Sequence, residues 1–181
     1  MERSLTYIAL FAALIAALGL VPQITLATGV PITAQSLGVM LCGTVLGARR
    51  GALAAGLFVA LVALGLPLLS GGRGGLGVFV SPTAGFALGF PLAAFVAGWV
   101  VEKWQASIGI AAFAGALIGG VGVLYLCGIT GMALVLGKSW PEAALLVSPF
   151  IPGDLLKAGL AAGVTRGLAQ LRPGAVLSRA G

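Results

Sequence analysis

Long apolar runs separated by short polar breaks dominate the chain. Leu5–Val21 is the first, preceded by Glu2 and Arg3. Ile32–Leu46 opens after Pro31, Gly51–Leu66 stops at Pro67, and Thr83–Val101 and Ser107–Leu126 follow. Pro152–Leu171 is the last. Runs of about 15 to 20 residues without polar alternation argue for helices and against strands. A helix needs about 20 apolar residues to cross the hydrocarbon core of a bilayer. The pattern therefore predicts an all-α integral membrane protein with six transmembrane helices. Their expected spans are 5–21, 32–46, 51–66, 83–101, 107–126 and 152–171, in a single transmembrane domain over residues 1–181.

Composition supports lipid as the natural solvent. Of the residues, 60% are hydrophobic and 8% charged, and mean hydropathy is +1.16. Soluble domains carry roughly 25% charged residues. Whole classes of chemistry also drop out. No histidine is present, which removes Ser-His-Asp triads and His-ligated metals. Asp154 is the one aspartate and the glutamates are scattered, which leaves no paired-carboxylate site. A P-loop string is absent, so the chain does not hydrolyse ATP in that way. Cys42 and Cys127 sit singly in apolar runs and read as small hydrophobes. No enzyme activity, metal or cofactor is expected.

The net charge of +6 reads as topology and not as affinity for nucleic acid. With six spans, one side collects Arg3, Arg49, Arg50, Lys103, Arg166, Arg172 and Arg179. The other side receives Arg73 and Lys138, while Lys157 falls inside the sixth run. Under the positive-inside tendency both termini are cytoplasmic. Turns on that side are short. The outer connections, Pro22–Pro31, Pro67–Pro82 and Gly137–Pro149, are longer and read as the working face.

Several motifs have two readings each. Gly72-Arg-Gly-Gly-Leu-Gly77 matches a dinucleotide fingerprint but lacks the strand before it and the helix directly after it. Arg73 is then either an anion contact or a solvated loop charge. Asp154 and Lys157, three apart, share one helix face near the outer end of the sixth helix. An intramembrane lysine marks function by default; its plain alternative is a self-neutralising pair with a snorkelling lysine. Thr33, Gln35 and Ser36 either line an outward pocket or cap the second helix. Tyr125 is core or pocket wall. Gly85–Gly89 and Gly115–Gly119 fit close helix packing. Ala9, Ala13 and Ala17 form a smooth stripe on the first helix, suited to internal packing or to docking a membrane partner.

Three segments resemble the BioY family: Val30-Pro-Ile-Thr-Ala-Gln-Ser-Leu-Gly-Val39, Gly74–Val78 with Ser81–Phe90, and Pro149-Phe-Ile-Pro-Gly-Asp-Leu-Leu-Lys-Ala158. That family comprises biotin-specific substrate-binding subunits, or S components, of energy-coupling factor (ECF) transporters. The resemblance implies the six-helix S-component fold, an outward biotin site and contacts from Asp154 and Lys157. It implies uptake of biotin with high affinity as the substrate-specific subunit of an ECF-type ABC transporter in the prokaryotic cytoplasmic (inner) membrane. Implied partners are a transmembrane coupling (T) subunit, met by Ala9, Ala13 and Ala17, and two ABC ATPases. The candidate substrate-binding residues are Asp154, Lys157, Arg73, Gln35, Thr33 and Tyr125, with Gly85 and Phe86 from the second segment. Asp154 is expected to accept from ureido N–H and Lys157 to donate to the ureido carbonyl, with Arg73 nearest the carboxylate; the last two roles could be exchanged. The alternatives are a stand-alone secondary transporter or channel for a small vitamin-like solute, and an intramembrane lipid enzyme, for which no nucleophile lies within a helical turn of Lys157.

Overall fold

The computed structural model describes residues 2–22, 24, 25 and 31–179. Among these residues, eight α-helical segments arrange as six rods. Helix α1 covers Glu2–Leu18, α2 Gln35–Leu46, α3 Ala48–Ala63 and α4 Ala84–Lys103. Helices α5 (Ile108–Gly115) and α6 (Leu124–Leu136) join through a π-helical stretch, Ala116–Val123, into one continuous rod. A short α7 (Trp140–Val147) leads through the 3-10 turn Ser148–Phe150 into α8 (Ile151–Leu171). Ile24–Thr25 and Pro31–Ile32 pair as a small antiparallel ribbon. Most of the Pro22–Pro31 connection, including Val30, lies outside the described residues.

Helix ends differ from hydropathy ends for a physical reason. Apolar runs mark the length immersed in lipid, whereas polar residues at the interface continue a helix freely. Thus α1 starts at Glu2 and α3 takes in Arg49 and Arg50. At the other end α3 stops at Ala63, short of Leu66, before Gly65 turns the chain at φ +104°. One outer connection holds more structure than a loop. Ser139 and Glu142 form a capping box with Pro141 in the first turn, and α7 follows from it.

Helix α2 is central. Eleven of its 12 residues are buried, against α1, α3, α4 and α8. Helices surrounded on every side carry no amphipathic stripe, and α2 shows none. Close approach depends on small residues. A methyl group on Gly43 of α2 would strike the Ala94 carbonyl and Gly98 of α4. Likewise Gly119 sits against Ala93 and Ala97. Among the described residues, three stretches are long and apolar enough to cross a membrane: Ala84–Lys103, Ile108–Leu136 and Trp140–Leu171.

Both described ends of the chain lie at one end of the bundle. Arg50 Nε donates to Ser4 Oγ at 3.1 Å, tying the start of α1 to the start of α3. Ser178 Oγ donates to the Thr44 carbonyl at 2.6 Å, and Arg179 to the carbonyls of Trp104 and Ala106 at 2.7 and 2.9 Å. Arg49, Arg50 and Lys103 sit at this same end. The positive-inside bias makes it the cytoplasmic end.

Candidate functional site

At the opposite end, the first turns of α8 aim two charges inward. Pro152 suits the opening turn, where its missing N–H has no helical partner to lose. Asp154, Ala158, Ala161 and Thr165 then recur on the buried face. Lys157 joins Asp154 across one turn at 2.8 Å, with side-chain exposures of 15% and 8%. Among the described residues this is the only ion pair.

Neighbours complete the cluster. Ser36, at the start of α2, donates to Asp154 Oδ1 at 3.0 Å and accepts from Lys157 Nζ at 3.0 Å. Tyr125 of α6 donates its phenol to Asp154 Oδ2 at 2.6 Å. The third Lys157 proton goes to the Thr33 carbonyl at 2.7 Å. All three ammonium protons are thus engaged, while the carboxylate receives three bonds out of about four that its lone pairs can accept.

Around this cluster lies a pocket that encloses about 670 Å³ of non-atom space, open solvent at its mouth included. Leu69, Phe86, Ala87, Phe90, Leu124 and Phe150 form its apolar walls. Phe86 meets the Tyr125 ring edge-on, with centroids 6.2 Å apart. Arg73 and Thr83 line another part of the same pocket. A tight turn, bridged between Leu69 and Arg73 and passing through Gly71 and Gly72 at positive φ, presents Arg73. Its Nε donates to the Ser70 carbonyl at 3.3 Å and one terminal nitrogen to Thr83 Oγ1 at 3.1 Å. Two of five guanidinium protons are used; three remain.

The structure brings Asp154, Lys157, Arg73, Gln35, Thr33, Tyr125 and Phe86 to one pocket. Gln35 is nonetheless engaged elsewhere. Its amide nitrogen donates to the carbonyls of Ile15 and Leu68, and its oxygen accepts from Ser70 N–H and hydroxyl. It braces the Arg73 turn against α1 and α2. Gly85 does not line the pocket: it packs α4 on α6, where a methyl would strike the Cys127 carbonyl and Gly131. Ser36 carries more than its expected share, since it bridges both charges. Thr83, Leu69, Ala87, Phe90, Leu124 and Phe150 were absent from the sequence-based set. The apolar members give no signal in a chain where most positions are apolar. Ala9, Ala13 and Ala17 all face outward on α1, away from the bundle.

Comparisons with known proteins bear on the family and the fold. The BioY family model matches residues 2–174. The chain belongs to the BioY family. It is 54% identical over 189 residues to the biotin transporter BioY of Rhodobacter capsulatus, covering 99% of this chain and 100% of the relative. It is 40% identical to the probable biotin transporter BioY of Bacillus subtilis, over 86% of this chain and 84% of the relative. The fold is similar to a crystal structure of the S-component for biotin from an ECF-type ABC transporter, with a TM-score of 0.88 and 30% identity. That match covers 93% of this chain and 92% of the other. The six-rod bundle is therefore the S-component fold, and the family consists of transporter components and not of enzymes.

Proposed function

We propose that this chain binds biotin in the pocket between α2, α4, α6 and α8 and acts as the substrate-specific subunit of an ECF-type ABC transporter in a prokaryotic cytoplasmic membrane. One observation carries the reading: a nearly buried Asp154–Lys157 pair, held by Ser36 and Tyr125, lies in an apolar-walled pocket. Biotin offers a ureido ring with two N–H donors and one carbonyl, an apolar bicycle, and a carboxylate on a flexible chain. The remaining lone pair of Asp154 accepts a ureido N–H. Lys157 reaches the ureido carbonyl by exchanging one of its present acceptors, Thr33 or Ser36, so binding trades one hydrogen bond for another. Phe86, Phe90 and Phe150 cover the bicycle.

Arg73 takes the carboxylate. Its three remaining protons suit a bidentate contact, whereas Lys157 has none to add without a loss. That asymmetry favours this assignment over the exchanged one. Gln35 acts through Ser70 and Arg73 as a brace.

Uphill transport needs an external motor, because the chain has no P-loop. The outward-facing Ala9, Ala13 and Ala17 stripe supports docking of a coupling subunit, which two ABC ATPases would drive. Purification in mild detergent followed by mass spectrometry should find biotin bound in near-stoichiometric amount, and titration of stripped protein should restore it. A preparation that neither carries nor rebinds biotin overturns the reading.

A further inference from the structure

A second cavity opens at the cytoplasmic end, between the start of α3 and the last turns of α4. It encloses about 1,050 Å³, open side included, and is lined by Arg49, Arg50, Lys103, Glu102, Phe95 and Trp99, with Leu46 and Ala48 as its floor. Three cations surround one carboxylate. Glu102 already accepts the Ala48 N–H at 2.8 Å, and among the described residues it forms no ion pair. The cavity therefore keeps an excess of positive charge. Arg50 is steadied by Ser4, at 3.1 Å through its Nε.

The cavity wall is continuous with the lipid-facing surface. Trp99 and Phe95 are 49% and 39% exposed, and Leu92 and Leu88 extend the same stripe along α4 at 51% and 59%. On α3, Leu53 and Leu57 are exposed as well. A cationic hollow at the cytoplasmic interface thus leads onto an apolar track that rises through the bilayer depth. That combination matches an amphiphile with a negative head and a long tail, since basic recesses between helices hold anionic headgroups and tryptophan favours the headgroup level.

The geometry points to a bound anionic phospholipid of the cytoplasmic leaflet, its phosphodiester among Arg49, Arg50 and Lys103 and one acyl chain along Trp99, Phe95 and Leu92. The site lies at the other end of the bundle from the biotin pocket and does not depend on that assignment.

The test uses the full chain carrying Trp104→Phe and Trp140→Phe, which leaves Trp99 as its one tryptophan. It is reconstituted in phosphatidylcholine vesicles doped with brominated phosphatidylglycerol or brominated phosphatidylcholine. Bromine quenches an indole only on near contact. Brominated phosphatidylglycerol should associate at Trp99 at least about fivefold more strongly, the factor expected for each basic residue that Glu102 does not offset. Adding Arg49→Gln with Lys103→Gln should bring the ratio close to one while biotin affinity stays unchanged, which shows that the bundle is intact. Equal quenching by the two lipids in the parent overturns the proposal, as does a preference that survives the double substitution. Relief of quenching by millimolar inorganic phosphate would identify a free-anion site and overturn the lipid assignment.

Discussion

The pocket end and the cytoplasmic end both collect charge, yet they hold it in opposite ways. Near the pocket, Asp154 and Lys157 are almost buried, and each proton of the lysine has an acceptor. At the cytoplasmic end, Arg49 and Lys103 are exposed and Glu102 meets only a backbone N–H. An isolated lysine at membrane depth costs about 2.5–3.5 kcal/mol or more, so the first arrangement survives only because its partners are fixed. Exposed cations at an interface cost little and respond to whatever anion is near. Density of hydrogen bonding, more than the presence of charge, separates a site built for one guest from a surface that sets orientation.

The sharpest way to break that contrast is Asp154→Asn. Loss of the charge leaves Lys157 without its counter-ion, and breaking a buried pair costs about 3–5 kcal/mol. Calorimetric titration should show biotin affinity reduced by about a hundredfold or more, with the protein still membrane-inserted; an unchanged constant would remove Asp154 from the site. Arg73→Met comes next. It should weaken free biotin by about tenfold to a hundredfold, the scale of a hydrogen bond to a charged group, and leave biotin amide nearly unaffected. Equal losses for both ligands would return the carboxylate to Lys157.

Gln35→Leu separates bracing from contact. It strands the buried Ser70 N–H and the Leu68 carbonyl, at about 1–3 kcal/mol for each unsatisfied group, while the Ile15 carbonyl keeps the Gly19 N–H. Thermal denaturation should fall by several degrees, and biotin affinity should fall with the Arg73 contribution only, so that the loss is shared by biotin but not by its amide. The smallest effect belongs to the other end. Glu102→Gln keeps an acceptor for the Ala48 N–H and should change stability by less than about 1 kcal/mol, with biotin binding intact. A large loss there would mean that the cytoplasmic cluster is as tightly coupled as the pocket.

Sequence pattern made parts of this molecule legible and left others opaque. The rods were visible because apolar length is a one-dimensional property. Asp154 and Lys157 were visible because they lie one turn apart on the same helix. Ser36 and Tyr125 reach Asp154 from 118 and 29 residues away, and no local spacing reports such a contact. Gly85 misled for a related reason: a small residue beside a pocket segment looks the same whether it admits a ligand or, as here, the Cys127 carbonyl of a neighbouring helix. Gln35 reads as a ligand contact because a polar side chain in an apolar wall invites one, while its four hydrogen bonds go to three residues on other segments. Helix α7 carries a readable start in Ser139, Pro141 and Glu142, but a helix of only eight residues within the stretch from Gly137 to Pro149 looks like a connection by length alone.

The brevity of α2 has a mechanical corollary. Twelve residues at about 1.5 Å each reach some 18 Å, against roughly 30 Å of hydrocarbon. Its outer end, Gln35 and Ser36, lines the pocket. A guest in the proposed pocket would therefore sit below the outer edge of that barrier, with the buried length of α2 beneath it.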